Sequence, residues 1–259
     1  MGEGRKRLGR EARLTSSIVA RRTPLEIVKT TQPLPDVVRD FERVSADIVR
    51  QASQFQAAIL ADVAGRRGTL NGRIRALDPS MRIAGPALTV EVRPGDNLMI
   101  HAAMALAKPG DVIVVDGKGD QTCALMGAIM INQCKALGVA GVILDAAARD
   151  SEEIREMRFP VFSVGTNPNG PTKFVPGRIN HPISAGGISI SPGDLIVADA
   201  DGIVVIERDK AAAMLPLAAK KLADETSRIE AIQQRKALRP AWLEGALRAA
   251  GVLKDGETL

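Results

Sequence analysis

A chain of 259 residues that is 45% hydrophobic and 25% charged carries enough apolar side chain to offset the ordering entropy of one large core, which excludes a wholly disordered protein. Tyr is absent, Trp occurs once and Phe five times, so the core must be built of Val, Ile, Leu, Ala and Met, and the aromatic platforms on which nucleic acid stacks are missing. The formal charge of +5 falls mainly in the two termini, so no basic surface is expected in the middle of the chain. No run of about 18 apolar residues exists, which excludes a spanning helix and leaves a cytoplasmic protein without membrane or nucleic-acid partners as the expectation.

Residues 1–35 read as a basic extension. Glu3 and Glu11 interrupt its charge and no apolar stretch follows, so it is not a secretory signal. Residues 36–64 carry apolar positions at helical spacing and predict two helices joined near Ser45. IAGPALTVEV, following Arg82, alternates and is rich in β-branched residues, which predicts a strand ending at Pro94 and Gly95.

A strand-and-helix rhythm follows. Residues 96–107 predict a helix capped by Asp96, DVIVVD a buried strand, residues 122–137 a helix, and GVILDA the next strand. This is βαβ order with parallel strands. Cys123 and Cys134 fall in the predicted 122–137 helix, about 16 Å apart at 1.5 Å per residue, too far for a disulfide. Residues 151–157 predict a short helix opened by an S-x-x-E-like cap, and PVFSVG a further strand. The Gly- and Pro-rich stretch 166–180 reads either as a functional loop or as a surface connection. Residues 188–207 predict strands joined by PGD and DADG turns. Residues 208–236 predict a long amphipathic helix and residues 241–250 a second, arms of the kind that pack on a neighbouring subunit. The organisation expected is an extension at 1–35, an α/β domain at 36–207 and a helical arm at 208–259.

The segment with most chemistry is GAIMINQCKALGVAGVILDAAARDSEEI. A helix beginning near Gly127 leads to a buried strand whose carboxyl end delivers Arg149 and Asp150, the edge where open α/β sheets bind ligands. A helix start offers free N–H groups to a carboxylate, and Gly127 permits close approach. Arg149 can grip the same acid with its planar fork. Asp150 offers a hard oxygen to magnesium or manganese, which need only one or two protein carboxylates. On the residues alone an adjacent Arg and Asp is also an ordinary surface ion pair. Asp116 and Asp120 in VVDGKGD could line the same crevice or simply form turns, and Asp62 could face it. His101 and His181 lack ligand spacing, which speaks against zinc, and His101 reads as a core or surface residue.

From about Val44 to Glu207 the chain resembles the family of the regulator of ribonuclease E activity and 4-hydroxy-4-methyl-2-oxoglutarate aldolase. The match is carried by LDPSMRIAGPALTVEVRPGDN, KPGDVIVVDGKGD, the spacing from Gly127 to Arg149 and Asp150, and PGDLIVADADGIVV. The resemblance implies a swivelling β/β/α domain with helical N- and C-terminal arms, assembled as a homotrimer or hexamer with sites between subunits. It implies a lyase dependent on Mg2+ or Mn2+, cleaving a 4-hydroxy-2-oxo acid, decarboxylating oxaloacetate, or both. By the same resemblance the backbone of Gly127, Ala128, Ile129 and Met130 holds the substrate, Arg149 binds its pyruvyl part, and Asp150 is the metal ligand. The aldolases carry an acid where this chain has Ala128, which puts the proton-transfer step in question. Glu225 of a neighbour's long helix is a candidate replacement. The other branch of the family implies a non-enzymatic regulator or binding protein.

Overall fold

The computed structural model describes residues 36–259, so the extension expected at 1–35 lies outside the described residues. In chain order the elements are α1 (Ala46–Ala52), α2 (Ala57–Val63), β1 (Arg75–Ala76), β2 (Ile83–Glu91), α3 (Leu98–Leu106), β3 (Val112–Met126), α4 (Ala128–Ala136), β4 (Gly141–Ala148), α5 (Ser151–Met157) and β5 (Val161–Thr166). They continue with β6 (Arg178–Ile179), β7 (Ile183–Ala185), β8 (Ile188–Ile190), β9 (Leu195–Asp199), β10 (Gly202–Ile206), α6 (Arg208–Gln233) and α7 (Leu243–Ala249). The class is the mixed α/β architecture expected.

The main sheet runs β1-β5-β4-β3-β2-β9-β10, with β6 also paired to β2, while β7 and β8 form a separate hairpin. Strands β2, β3, β4 and β5 are parallel and joined through α3, α4 and α5. Helices cover them, so β4 is buried at every residue and reads as a continuous apolar run rather than an alternation. Strand β2 changes partner midway. Ile83 to Pro86 pair antiparallel with β9, and Ala87 to Glu91 pair parallel with β3. Pro86, which has no N–H to donate, stands at the changeover, where one ladder ends and the next begins.

Two cores result. One packs the parallel strands against α3, α4 and α5 through residues such as Leu88, Ile100, Ile113, Ile131, Ile143 and Ile154. The other packs α1, α2 and the first half of α6 on β9 and β10 through Leu60, Leu195, Val204 and Leu215. Beyond that, α6 turns Ile229 and Ile232 to the exterior and α7 buries none of its residues. No helix among the described residues is long and apolar enough to cross a membrane.

Several local expectations are corrected. Ser45 is not a joint between two helices; it caps α1, its Oγ accepting from the N–H of Ile48, and the two helices meet at residues 53–56. Residues 36–38 instead run beside Ile179, whose N–H donates to the carbonyl of Asp36 and whose carbonyl accepts from the N–H of Val38. The helix predicted at 122–137 starts only at Ala128, because residues 122–126 complete β3. Cys123 through Met126 are all buried, and four apolar residues in a row fit a doubly buried strand as well as a helix. Cys123 therefore lies on a strand and Cys134 on a helix. Both thiols are free and buried, as expected, and burial pushes the Cys134 thiol up to about 12.

The remaining differences concern caps. Helix α5 spans the predicted residues but is not opened by a Ser cap; its N-cap is Asp150 in the left-handed region, with no side-chain cap bond. Helix α3 begins at Leu98 rather than at residue 96. Asp96 nevertheless accepts from the N–H of Leu98 at 2.9 Å, doing a cap's work from one position before the cap residue.

Candidate active site at the open end of the parallel strands

The carboxyl ends of β3 and β4 and the amino ends of α3 and α4 meet around a cavity of about 190 Å3. Its wall includes Asn97 and His101 from α3, Gly127, Ile129 and Met130 from the start of α4, Arg149 and Asp150 after β4, and Pro171 and Lys173 from the following loop. Sequence-predicted residues Gly127, Ile129, Met130, Arg149 and Asp150 are thus brought together, although they come from two separate stretches of chain. Ala128 is buried behind them and contributes its backbone.

Bulges fix this meeting. The register between β3 and β4 shifts after Val115, after Asp120 and again after Ala124, so the end of β3 bends and delivers Gly127 next to the end of β4. The N–H of Arg149 donates to the carbonyl of Met126 at 3.0 Å, and the N–H of Ala128 donates to Oδ2 of Asp150 at 3.0 Å. The first N–H groups of a helix have no intrahelical acceptor. Asp150 takes that of Ala128, and those of Ile129 and Met130 remain at the helix's positive end. Nε of Arg149 stands 3.8 Å from Oδ2 of Asp150, both side chains half-buried.

Gly127 is required here by space. A Cβ at this residue would lie 2.4 Å from Oδ2 of Asp150 and 2.9 Å from Cγ of Arg149. Its backbone is extended, so packing, not conformational freedom, selects glycine. Gly170 similarly leaves room for the Arg149 guanidinium, whose Nη1 would stand 3.0 Å from an added Cβ.

The part of the wall formed by Asn97, His101 and Lys173 was not legible as a site. Asp96 holds it: Oδ2 accepts from the Thr172 hydroxyl at 2.6 Å and from the N–H groups of Phe174 at 2.8 Å and Val175 at 3.2 Å. Burial alone would raise this carboxyl, but these donors outweigh it and hold it below the usual carboxylate range. The loop carrying Lys173 is thereby fastened to the start of α3. Asn97, only 2% exposed, donates from Nδ2 to the carbonyl of Leu125 at 2.8 Å. His101, one turn further along α3, is partly buried, and burial and then the charge of Lys173 lower its pKa. The sequence signal for this wall was slight: an Asn and a His four residues apart after a PGD turn.

Other candidates lie elsewhere. Asp116 pairs with Lys118 at 2.6 Å and Asp120 accepts from Thr122, two residues further along β3, and neither lines the cavity. Asp62 does not face it either; it pairs with Lys221 at 2.8 Å, and the same ammonium holds Glu225 at 2.8 Å. The Lys221 contacts also keep Asp62 below the usual carboxylate range. No three His, Cys, Asp or Glu side chains converge as a metal cage among the described residues. Among the described residues Asp150 is the sole acid lining the cavity. A lone carboxylate suits magnesium or manganese, which fill their shell with water and ligand oxygens, and does not suit zinc.

Comparison with known proteins agrees with this architecture. A family model described as RraA-like, Aldolase/RraA, matches residues 45–205. A chain from Halalkalibacterium halodurans named "Putative 4-hydroxy-4-methyl-2-oxoglutarate aldolase" is 40% identical over 204 residues, covering 79% of this chain and 97% of that one. A Burkholderia mallei chain of the same name is 36% identical over 141 residues, 52% of this chain and 85% of that one. Among solved structures, RraAS2 of Streptomyces coelicolor, described as an unusual member of the RNase ES inhibitor RraA protein family, matches with a TM-score of 0.67 at 30% identity. It covers 73% of this chain and 99% of its own. The RNA-processing inhibitor RraA of a Thermus species gives 0.54 at 26% identity, with 58% and 92% covered.

Proposed function

This chain belongs to the RraA-like, Aldolase/RraA family, and we propose that within it the protein is a divalent-metal-dependent lyase of the pyruvate aldolase class, cleaving a 4-hydroxy-2-oxo acid, decarboxylating oxaloacetate, or both. The observation that carries this reading is the convergence of Arg149 and Asp150 on the open start of α4 in one cavity.

The N–H groups of Ile129 and Met130 and the guanidinium of Arg149 receive the carboxylate and 2-oxo oxygen of a pyruvyl group. Asp150, the acid of the cavity lining, would hold Mg2+ or Mn2+. The ion, when bound, supplies a Lewis acid that draws charge from the 2-oxo oxygen. Arg149 adds its fixed positive charge beside the same oxygen, where charge grows as the bond to C3 breaks. Asp96 keeps Lys173 over the cavity, where its ammonium meets the distal carboxylate of a dicarboxylic substrate.

A homotrimer or hexamer remains part of this reading. Ile129 is 77% exposed at the cavity wall, and Phe174, next to Lys173, is 82% exposed. Such apolar side chains at the rim support closure of the site by a neighbouring subunit. Glu225 would reach a neighbour's site only after leaving Lys221.

One observation favours the second reading, a regulator without chemistry: Ala128 places no acid beside Asp150. Pyruvate release from oxaloacetate and from 4-hydroxy-4-methyl-2-oxoglutarate, with and without magnesium, separates the two. Metal-dependent turnover that fails in Asp150→Ala supports the lyase. Equal rates in both proteins, or none in the wild type, leave the regulator.

A further inference from the structure

Two polar atoms in the residues of the cavity wall are buried without a hydrogen-bond partner among the described residues: Oδ1 of Asn97 and Nε2 of His101. An unpaired buried polar atom costs on the order of 1–3 kcal/mol. Two on residues four apart, on one face of α3, call for a common explanation.

The amide of Asn97 has a fixed orientation. Its Nδ2 donates to the carbonyl of Leu125 and reaches Sδ of Met130 at 3.3 Å, so Oδ1 is the end left open. That oxygen is an obligate acceptor. An imidazole that carries its proton on Nε2 is the matching donor, and it then presents a lone pair on Nδ1. The two atoms are not hydrogen-bonded to each other in this structure, and catalytic hydrogen bonds commonly form or tighten only when substrate binds. Burial and then the nearby charge of Lys173 lower the pKa of this ring and so favour its neutral form. The other charged groups lining the cavity are Arg149 and Asp150, one of each sign.

We infer that His101 is the proton acceptor in carbon–carbon cleavage, with Asn97 as the residue that positions its ring. The inference rests on the lyase reading above and supplies the proton-transfer group that Ala128 does not. In the step, Nδ1 of His101 takes the proton of the C4 hydroxyl. The O–H pair becomes the second C4–O bond as the C3–C4 bond breaks. The electrons of that bond pass to C3 and spread onto the 2-oxo oxygen as an enolate. The imidazolium then returns the proton to C3, giving pyruvate and a carbonyl product. Nothing is oxidised or reduced and no co-reactant is consumed. Oxaloacetate has no C4 hydroxyl, so its decarboxylation begins without this proton transfer.

The test compares wild type, His101→Ala, His101→Gln and Asn97→Ala with magnesium on 4-hydroxy-4-methyl-2-oxoglutarate and on oxaloacetate, across pH and with added imidazole. Both His101 variants are expected to lower kcat for the hydroxy acid at least about 100-fold more than kcat for oxaloacetate. They should also flatten the acid limb of the hydroxy-acid profile, and imidazole should restore turnover to His101→Ala. Asn97→Ala should lose less, in the same direction. An equal loss on both substrates without rescue, or an undiminished aldol rate, overturns the assignment of His101 while leaving the lyase reading in place. Absence of turnover by the wild type on either substrate overturns that reading, and the base with it.

Discussion

Oδ2 of Asp150 accepts the backbone N–H of Ala128 at 3.0 Å, tying the end of β4 to the start of α4 across 22 residues of sequence. To make this bond Asp150 adopts φ 58° and ψ 38°, a left-handed conformation that a non-glycine residue holds at a cost of about 1 kcal/mol. Asp tolerates it better than most residues.

This geometry separates structure from chemistry at one position. Asn also tolerates the left-handed region, and its amide oxygen can still accept from Ala128. Asp150→Asn is therefore expected to melt close to wild type while losing at least about 100-fold in magnesium-dependent pyruvate release. Asp150→Ala should lose the activity and also about 1–2 kcal/mol of stability with the bond. Thermal melts and a coupled pyruvate assay on the two variants check this. Full activity in Asp150→Asn would rule the carboxylate out as a metal ligand.

Gly127→Ala tests whether close packing positions the pair. The added Cβ would meet Oδ2 of Asp150 at 2.4 Å, and a displacement near 1 Å at reacting groups costs about 100-fold. The variant should remain folded, because the backbone at Gly127 is extended, yet lose about 100-fold in kcat/KM. Unchanged kinetics would mean that the substrate is held elsewhere.

Ala128→Asp restores an acid where the aldolase pattern has one. An acid in the first turn of α4 is favoured by the helix's positive end, so the variant should fold. Its second carboxylate beside Asp150 should tighten magnesium about 10-fold. Calorimetric titration of the metal reads this directly, and weaker binding than wild type would count against Asp150 as the ligand.

Asp96→Asn bears on pH. The folded carboxyl lies below its ordinary value, so its contribution is present above about pH 3.9 and is lost as pH falls through the lower folded value. Urea unfolding at pH 7 should find Asp96→Asn weaker by about 2 kcal/mol, and the difference should shrink towards pH 3. The KM for a dicarboxylic substrate should rise as well, because Lys173 rides on the loop that Asp96 fastens. A gap that persists unchanged at pH 3 would mean that the carboxylate charge is not what holds the loop.

Much of the site was legible along the chain. Gly127, Arg149 and Asp150 could be read from a helix start and a strand end, because a buried parallel strand announces itself as an apolar run and its carboxyl end is a ligand edge. The end of β3 was not legible, since Cys123 to Met126 are buried on all sides and a contiguous apolar run carries no period. Asp62, Asp116 and Asp120 were acids in plausible places. None of them reaches the cavity: Asp62 is held by Lys221, far along the chain, while Asp116 and Asp120 bond to Lys118 and Thr122, two residues on from each.

The sequence by itself determined the α/β class, the parallel order of β2 to β5, the family, and the two residues at the strand end, because each rests on local pattern or contiguous motif. Tertiary structure alone decided that Asn97, His101 and Lys173 line the same cavity as Arg149 and Asp150. Their convergence depends on the bulges of β3 and on one buried carboxylate, Asp96, binding a loop 76 residues away. Hydrogen bonds between groups so far apart leave no period in the chain, and only the folded backbone brings them within reach.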